Sequence, residues 1–131
     1  MIDATIKITV PPEKSKEFLQ TVHAVLAPIR KEQGCLSCNC YVNIETEDTL
    51  LFREEWHTRD DLESHVRSGL FRVLIGAMSL LDRPPEIRFN TIAATVGMEA
   101  IQATRRASDV EHSGFGTRRH EKSNGKSLRD E

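Results

Sequence analysis

The chain has 131 residues and a mass of 14.8 kDa, which suits one domain and is short for two. Its 18 Lys and Arg against 20 Asp and Glu leave a formal charge of −2, which argues against a nucleic-acid binder that works by phosphate neutralisation and against a polybasic membrane-surface protein. No apolar run approaches the roughly 18 residues of a membrane span, the start MIDATIKITV lacks a signal's basic and apolar blocks, and three cysteines bunched at 35, 38 and 40 make no disulfide framework; a cytoplasmic protein is the expectation.

Residues 4–10 alternate Ala4, Ile6, Ile8 and Val10 against Thr5, Lys7 and Thr9, the period of a half-buried strand. Pro11 and Pro12 end it, and Pro12 suits the first turn of a helix. Phe18, Val22, Val25, Leu26 and Ile29 then recur at helical spacing. Pro28 is expected to kink or weaken the last turn, and Gly34 follows as the residue just past a helix C-terminus.

From Cys35 to Ile44 the period is two again, with Leu36, Cys38, Cys40, Val42 and Ile44 on one face. The polar turn 45–49 leads to a third strand over 50–57, with Leu50, Phe52, Glu54 and Trp56 on one side. Thr58 and Asp61 have capping-box spacing and open a helix on which Leu62, His65, Val66 and Gly69 share a face. Phe71, Leu74, Ile75, Met78 and Leu81 continue the helical pattern beyond a bend, and Pro84 and Pro85 stop it. Ile87, Phe89, Thr91 and Ala93 make a fourth strand.

This order is β-α-β-β-α-β, the ferredoxin-like α+β arrangement: an antiparallel sheet with both helices on one face. The other face is bare, with Tyr41, Leu51, Ile92 and Ala94 interleaved among polar residues. Such a face is expected to pair with a second copy, giving a homodimer. Residues 1–96 hold 42 of the 50 apolar residues and form the core-bearing domain; 97–131 cannot bury a core alone and read as an extension. A helix is predicted over 97–111, followed by a mobile polar tail from 112.

Two sequence features invite chemistry. Glu54 and Trp56 close the third strand pointing the same way, and His65 follows nine residues later on an apolar helix face, so all three can line one pocket between sheet and helices. A lone Trp at a strand end and a His on an apolar stripe are equally what an ordinary core contains, and the sequence admits both readings. The C-x2-C-x-C run suggests a metal, yet a zinc site needs further ligands at a set distance and none is spaced for it. Small buried cysteines, with no metal, are the better reading. His23, His112 and His120 show no partner spacing, and no phosphate loop or nucleophile elbow is present.

The runs EQGCLSCNCYVN (32–43), FREEWHTRDDLESHV (52–66) and RPPEIRFNTI (83–92) resemble the antibiotic biosynthesis monooxygenase family. The resemblance covers about residues 2–95. It implies a dimeric α+β barrel and, in some members, oxidation of a small quinol-like or polycyclic aromatic substrate by O2 with no metal or flavin cofactor. Other members degrade haem, pairing the Trp and His with an Asn on the first strand; here that strand reads DATIKITV and offers none. An oxygenase of the first kind must deprotonate its substrate, hold the anion and exclude water. On that reading His65 is the base, Glu54 orients it or holds a substrate hydroxyl, and Trp56 with Leu62, Val66 and Phe71 forms a dry wall. Asn39 is a candidate pocket amide, although strand alternation sets it opposite Cys38 and Cys40. A binding or regulatory module of the same fold is the alternative.

Overall fold

The computed structural model describes residues 1–114. Its elements run β1 (Ile2–Thr9), α1 (Pro12–Arg30), β2 (Cys35–Val42), β3 (Thr49–Trp56), α2 (Arg59–Val66), α3 (Gly69–Ser79), β4 (Glu86–Thr91) and α4 (Met98–Gly114). Contacts divide the chain into Met1–Ala93 and a unit from Ala94 onward, whose described part contains α4. The helix expected over 97–111 is present and runs on to Gly114. Residues 112–114, expected in the tail, are thus helical, and the rest of that tail lies outside the described residues.

The sheet has the order β2-β3-β1-β4 with every neighbouring pair antiparallel, the split arrangement expected of a ferredoxin-like α+β fold. Period-two alternation sends Ile2, Ala4, Ile6 and Ile8 of β1, with Leu50, Phe52, Glu54 and Trp56 of β3, toward the helices. Phe18, Val22, Val25 and Ile29 of α1 and Leu74 and Met78 of α3 close over them. Full burial of side chains the size of Phe52 or Ile6 stabilises by about 1.5–3 kcal/mol each.

Several expectations change against this frame. Pro28 falls in the last turn of α1, where its missing N–H costs one bond; the helix runs two residues further to Arg30, and Lys31 N–H closes onto the Pro28 carbonyl at 3.1 Å. A β-bulge between Cys35 and Ser37 takes Leu36 out of the alternation and leaves it 53% exposed, while Cys38 stays buried. Ile44 lies beyond the end of β2 and is 96% exposed. The fourth strand stops at Thr91, short of Ala93, and all six of its residues are exposed. It is an edge strand, and Ile87 and Phe89, on the helix side of the sheet, stay 39% and 54% exposed.

The bend near Gly69 is a break between two helices. Ser68 caps α3 by accepting from Phe71 N–H at 3.2 Å, after the Ser68 N–H has closed α2 onto the His65 carbonyl. Thr58 caps α2 as its spacing predicts, accepting from Asp61 N–H at 3.1 Å. Asp60 and Asp61 sit in the first turn, where the helix dipole favours negative charge. These caps fix the phase of a helix of only two turns, and with it the direction of His65.

Candidate functional site

Glu54, Trp56 and His65 come together, but not around a shared pocket as expected: the three are buried against one another, and of them only His65 lines a hollow. Glu54 and Trp56 project from the last turn of the β3 alternation onto the helix side of the sheet, and both are buried. The Trp56 indole N–H donates to Glu54 Oε1 at 3.0 Å. The other oxygen, Oε2, lies 2.9 Å from His65 Nε2. The imidazole stacks on the indole, with ring centroids 4.6 Å apart and planes at 27°. Phe71 meets the imidazole edge-on, centroids 5.2 Å apart.

A fourth member was not singled out from the sequence. His65 Nδ1 lies 3.0 Å from Oε1 of Glu32. Local rules place Glu32: its N–H closes onto Ile29 at the end of α1, its carbonyl accepts from Cys35 N–H, and Gly34 then turns the chain into β2 at φ +81°. Cys35 pairs with Trp56 across the sheet, and Gly34 accepts from His57 N–H at 2.8 Å, so this turn is pinned beside the end of β3. Glu32 is distant in sequence from His65, and neither helical nor strand periodicity links them. Only the pairing of β2 with β3 brings it in.

The imidazole is therefore held between two carboxylates. Burial by itself would lower its pKa, but hydrogen bonds and charge from Glu54, then Glu32, outweigh burial and raise it above the ordinary histidine value. A proton on both ring nitrogens satisfies both carboxylates at once. The two carboxylates and the shared imidazole form one hydrogen-bonded chain running from the indole N–H to Glu32, buried except at its Glu32 end.

A hollow of about 600 Å³ adjoins the outer end of this chain, lined by Glu32, Gln33, Asp61, Ser64, His65, Ser68, Gly69 and Leu70. Most of its lining residues are polar, yet the surface they turn toward it is largely apolar. The His65 side chain is fully buried, Glu54 is 1% exposed, and Glu32 keeps 21% of its side-chain surface accessible. The Oε2 atom of Glu32 is buried and has no hydrogen-bond partner among the described residues.

The remaining sequence candidates fall elsewhere. Leu62 is buried in the core and Phe71 is half-buried against it, but Val66, at the end of α2, is 38% exposed and does not complete an apolar wall. The structure does not bring Asn39 to His65. It pairs across the sheet with Arg53, on the face opposite Cys38 and Glu54, and its Oδ1 accepts from Arg30 Nη2 at 3.2 Å. The three cysteines are free, and no group of potential metal ligands occurs among the described residues. Burial raises the pKa of each thiol, most strongly at Cys38, where Glu54 adds to it. They are protonated small apolar groups of the sheet. No described helix is long and apolar enough to cross a membrane.

The fold and the carboxylate-bound histidine beside a surface hollow define a small α+β protein of the ferredoxin-like class. The sequence profile of the antibiotic biosynthesis monooxygenase family matches residues 1–76, more than half of the chain. The chain belongs to that family. It is 33% identical over 89 residues to the uncharacterized protein sll1783 of Synechocystis sp. PCC 6803, a match covering 67% of this chain and 60% of that relative. Among solved structures, a conserved protein from Methanosarcina mazei Go1 superposes with a TM-score of 0.65 at 31% identity, covering 68% of this chain and 89% of its own. Rv0793 from Mycobacterium tuberculosis superposes with a TM-score of 0.67 at 20% identity, covering 73% of this chain and 98% of its own, which speaks to the fold alone.

Haem, which some members of the family process, does not fit this arrangement. Both imidazole nitrogens of His65 are engaged by carboxylates, and neither offers a free lone pair to iron.

Proposed function

We propose that the protein is a cofactor-independent monooxygenase acting on a small quinol-like aromatic. A quinol reacts with O2 far more readily once deprotonated, because the anion gives up an electron more easily than the neutral phenol. Overall, quinol plus O2 yields hydroxyquinone plus water: one oxygen atom enters the ring, the other leaves as water, and the substrate supplies all the electrons. The protein's part is to take the hydroxyl proton and hold the anion. The observation that carries this reading is the Glu54–His65–Glu32 chain ending at a hollow large enough for such a molecule. Trp56 anchors that chain from behind through Glu54 and the ring stack.

The test is oxygen uptake by purified protein with menadiol- or anthrone-like substrates between about pH 6 and 9. We expect turnover in the wild type and a loss of about 10²–10⁴ when His65→Ala breaks the Glu54–His65–Glu32 acid–base chain. Trp56→Phe keeps an aromatic stack but removes the indole donor, and a smaller loss is expected. No uptake with any such phenol sinks the proposal.

A second reading has a specific observation behind it. His65 and Trp56 are wholly enclosed, and both imidazole nitrogens are already paired, as in a structural polar core. On this reading the protein is a non-catalytic module that binds a small ligand in the hollow. Ligand binding without oxygen uptake is its signature.

The same proposal extends to assembly. The open face of the sheet carries Leu51 and Tyr41, both partly exposed, among Asp3, Lys7, Arg53, Glu55, Glu86 and Arg88. Most of these charges pair within the subunit, Arg53 with Asp3 and Glu55 and Lys7 with Glu86, and the exposed apolar surface of Leu51 and Tyr41 beside them supports a homodimer through this face. Action in the cytoplasm is part of this reading.

A further inference from the structure

We infer that Glu32, rather than His65, is the residue that touches the substrate, and that the hollow selects an uncharged aromatic carrying a hydroxyl donor. This deepens the proposed phenol chemistry and rests on the hollow being the binding site. Three observations carry it. His65 presents neither nitrogen to a ligand, since Glu54 takes Nε2, Glu32 takes Nδ1, and the side chain has no accessible surface. Glu32 is the one carboxylate of the chain that lines the hollow, and it retains 21% of its side-chain exposure. Its Oε2 is shielded yet unpaired among the described residues, whereas buried acceptors are nearly always satisfied.

A ligand hydroxyl seated in the hollow supplies that missing donor. A small tilt of the partly exposed side chain brings Oε2 to it while Oε1 holds His65. In the proposed reaction the hydroxyl O–H bond breaks and its proton passes to Glu32 Oε2. The electron pair stays on the substrate oxygen, leaving the phenolate for O2. His65 and Glu54 act through Glu32 as positioning residues. The charges facing the ligand argue for the same class: Glu32 and Asp61 line the hollow and Glu54 lies behind His65, so the imidazolium is outnumbered. An aromatic carboxylate or phosphate is repelled, and a neutral hydroxyl is drawn in.

The experiment is calorimetric titration of the full chain with two redox-inert probes, 2-naphthol and its methyl ether, which differ in the donor alone. Wild type is expected to prefer naphthol about tenfold, the size of one charge-assisted hydrogen bond. Glu32→Ala is expected to cut that preference below about threefold, whereas a merely structural disturbance weakens both probes alike. Should the alanine variant fold poorly, Glu32→Gln provides the same comparison with the shape retained, and an intermediate preference is expected. Equal binding of the two probes by wild type, binding of neither, or an undiminished preference in both variants overturns the inference. Oxygen uptake separates the two claims: naphthol selectivity through Glu32 without turnover sinks the oxygenase and leaves this contact standing. Turnover without that selectivity does the reverse.

Discussion

The Trp56 indole and the His65 imidazole lie stacked with centroids 4.6 Å apart, and one carboxylate, Glu54, binds both through its two oxygens. A single side chain on β3 thus sets the geometry of a ring from its own strand and of a ring from the next helix. Neither ring can shift without unpairing a buried acceptor.

Glu54→Ala is therefore expected to cost about 3–5 kcal/mol, because it leaves a buried imidazolium and a buried indole N–H without their partner. Glu54→Gln keeps the volume and can still accept from Trp56, so about 1–3 kcal/mol is expected. Urea unfolding followed by Trp56 fluorescence measures both, with Trp56 as the chain's single tryptophan. A cost below about 1 kcal/mol for the alanine variant would mean the three residues are not coupled in this way.

Stability should also depend on pH through His65. Although burial opposes the charge, Glu54 and Glu32 raise the folded-state pKa above the ordinary 6.5. A raised folded value means the native state holds the proton more tightly than the unfolded chain does. The contribution is complete below the unfolded-state pKa and is lost as pH rises through the folded value. The difference in unfolding free energy between wild type and His65→Gln should shrink above about pH 6.5. A constant difference from pH 5 to 9 would contradict the clamped imidazolium.

Gly34→Ala should destabilise the turn that carries Glu32. At φ +81° a side chain costs about 1–2 kcal/mol, and a Cβ there would collide with the Asp61 side chain. The total is expected above about 2 kcal/mol, with weakened ligand binding because Glu32 loses its anchor. Thermal unfolding and the naphthol titration read the two effects separately.

Leu51→Glu tests the open face. Leu51 is 37% exposed in the single chain, so the substitution is expected to change the stability of one subunit by no more than about 0.5 kcal/mol. In the proposed homodimer a carboxylate here adds like charge to both sides of the interface, and sedimentation is expected to show a 14.8 kDa monomer for the variant where the wild type runs at twice that mass. An unchanged mass would place any dimer contact on another surface.

Much of this protein is written in local patterns. The period-two runs around Ile6 and Phe52, the helical stripe from Phe18 to Ile29 and the Thr58 cap determine the strands, the helices and their order, because each depends on neighbours a few residues away. The same periodicities set Glu54, Trp56 and His65 toward one interior. Tertiary structure alone decided the rest. Strand pairing across β2 and β3 delivered Glu32 to His65, a bulge ejected Leu36, β4 came to lie at an edge of the sheet, and the indole stacked directly on the imidazole. Periodicity gives the side of an element on which a residue lies; what occupies the space beyond that side depends on chain segments far away in sequence, which close together only when the sheet forms.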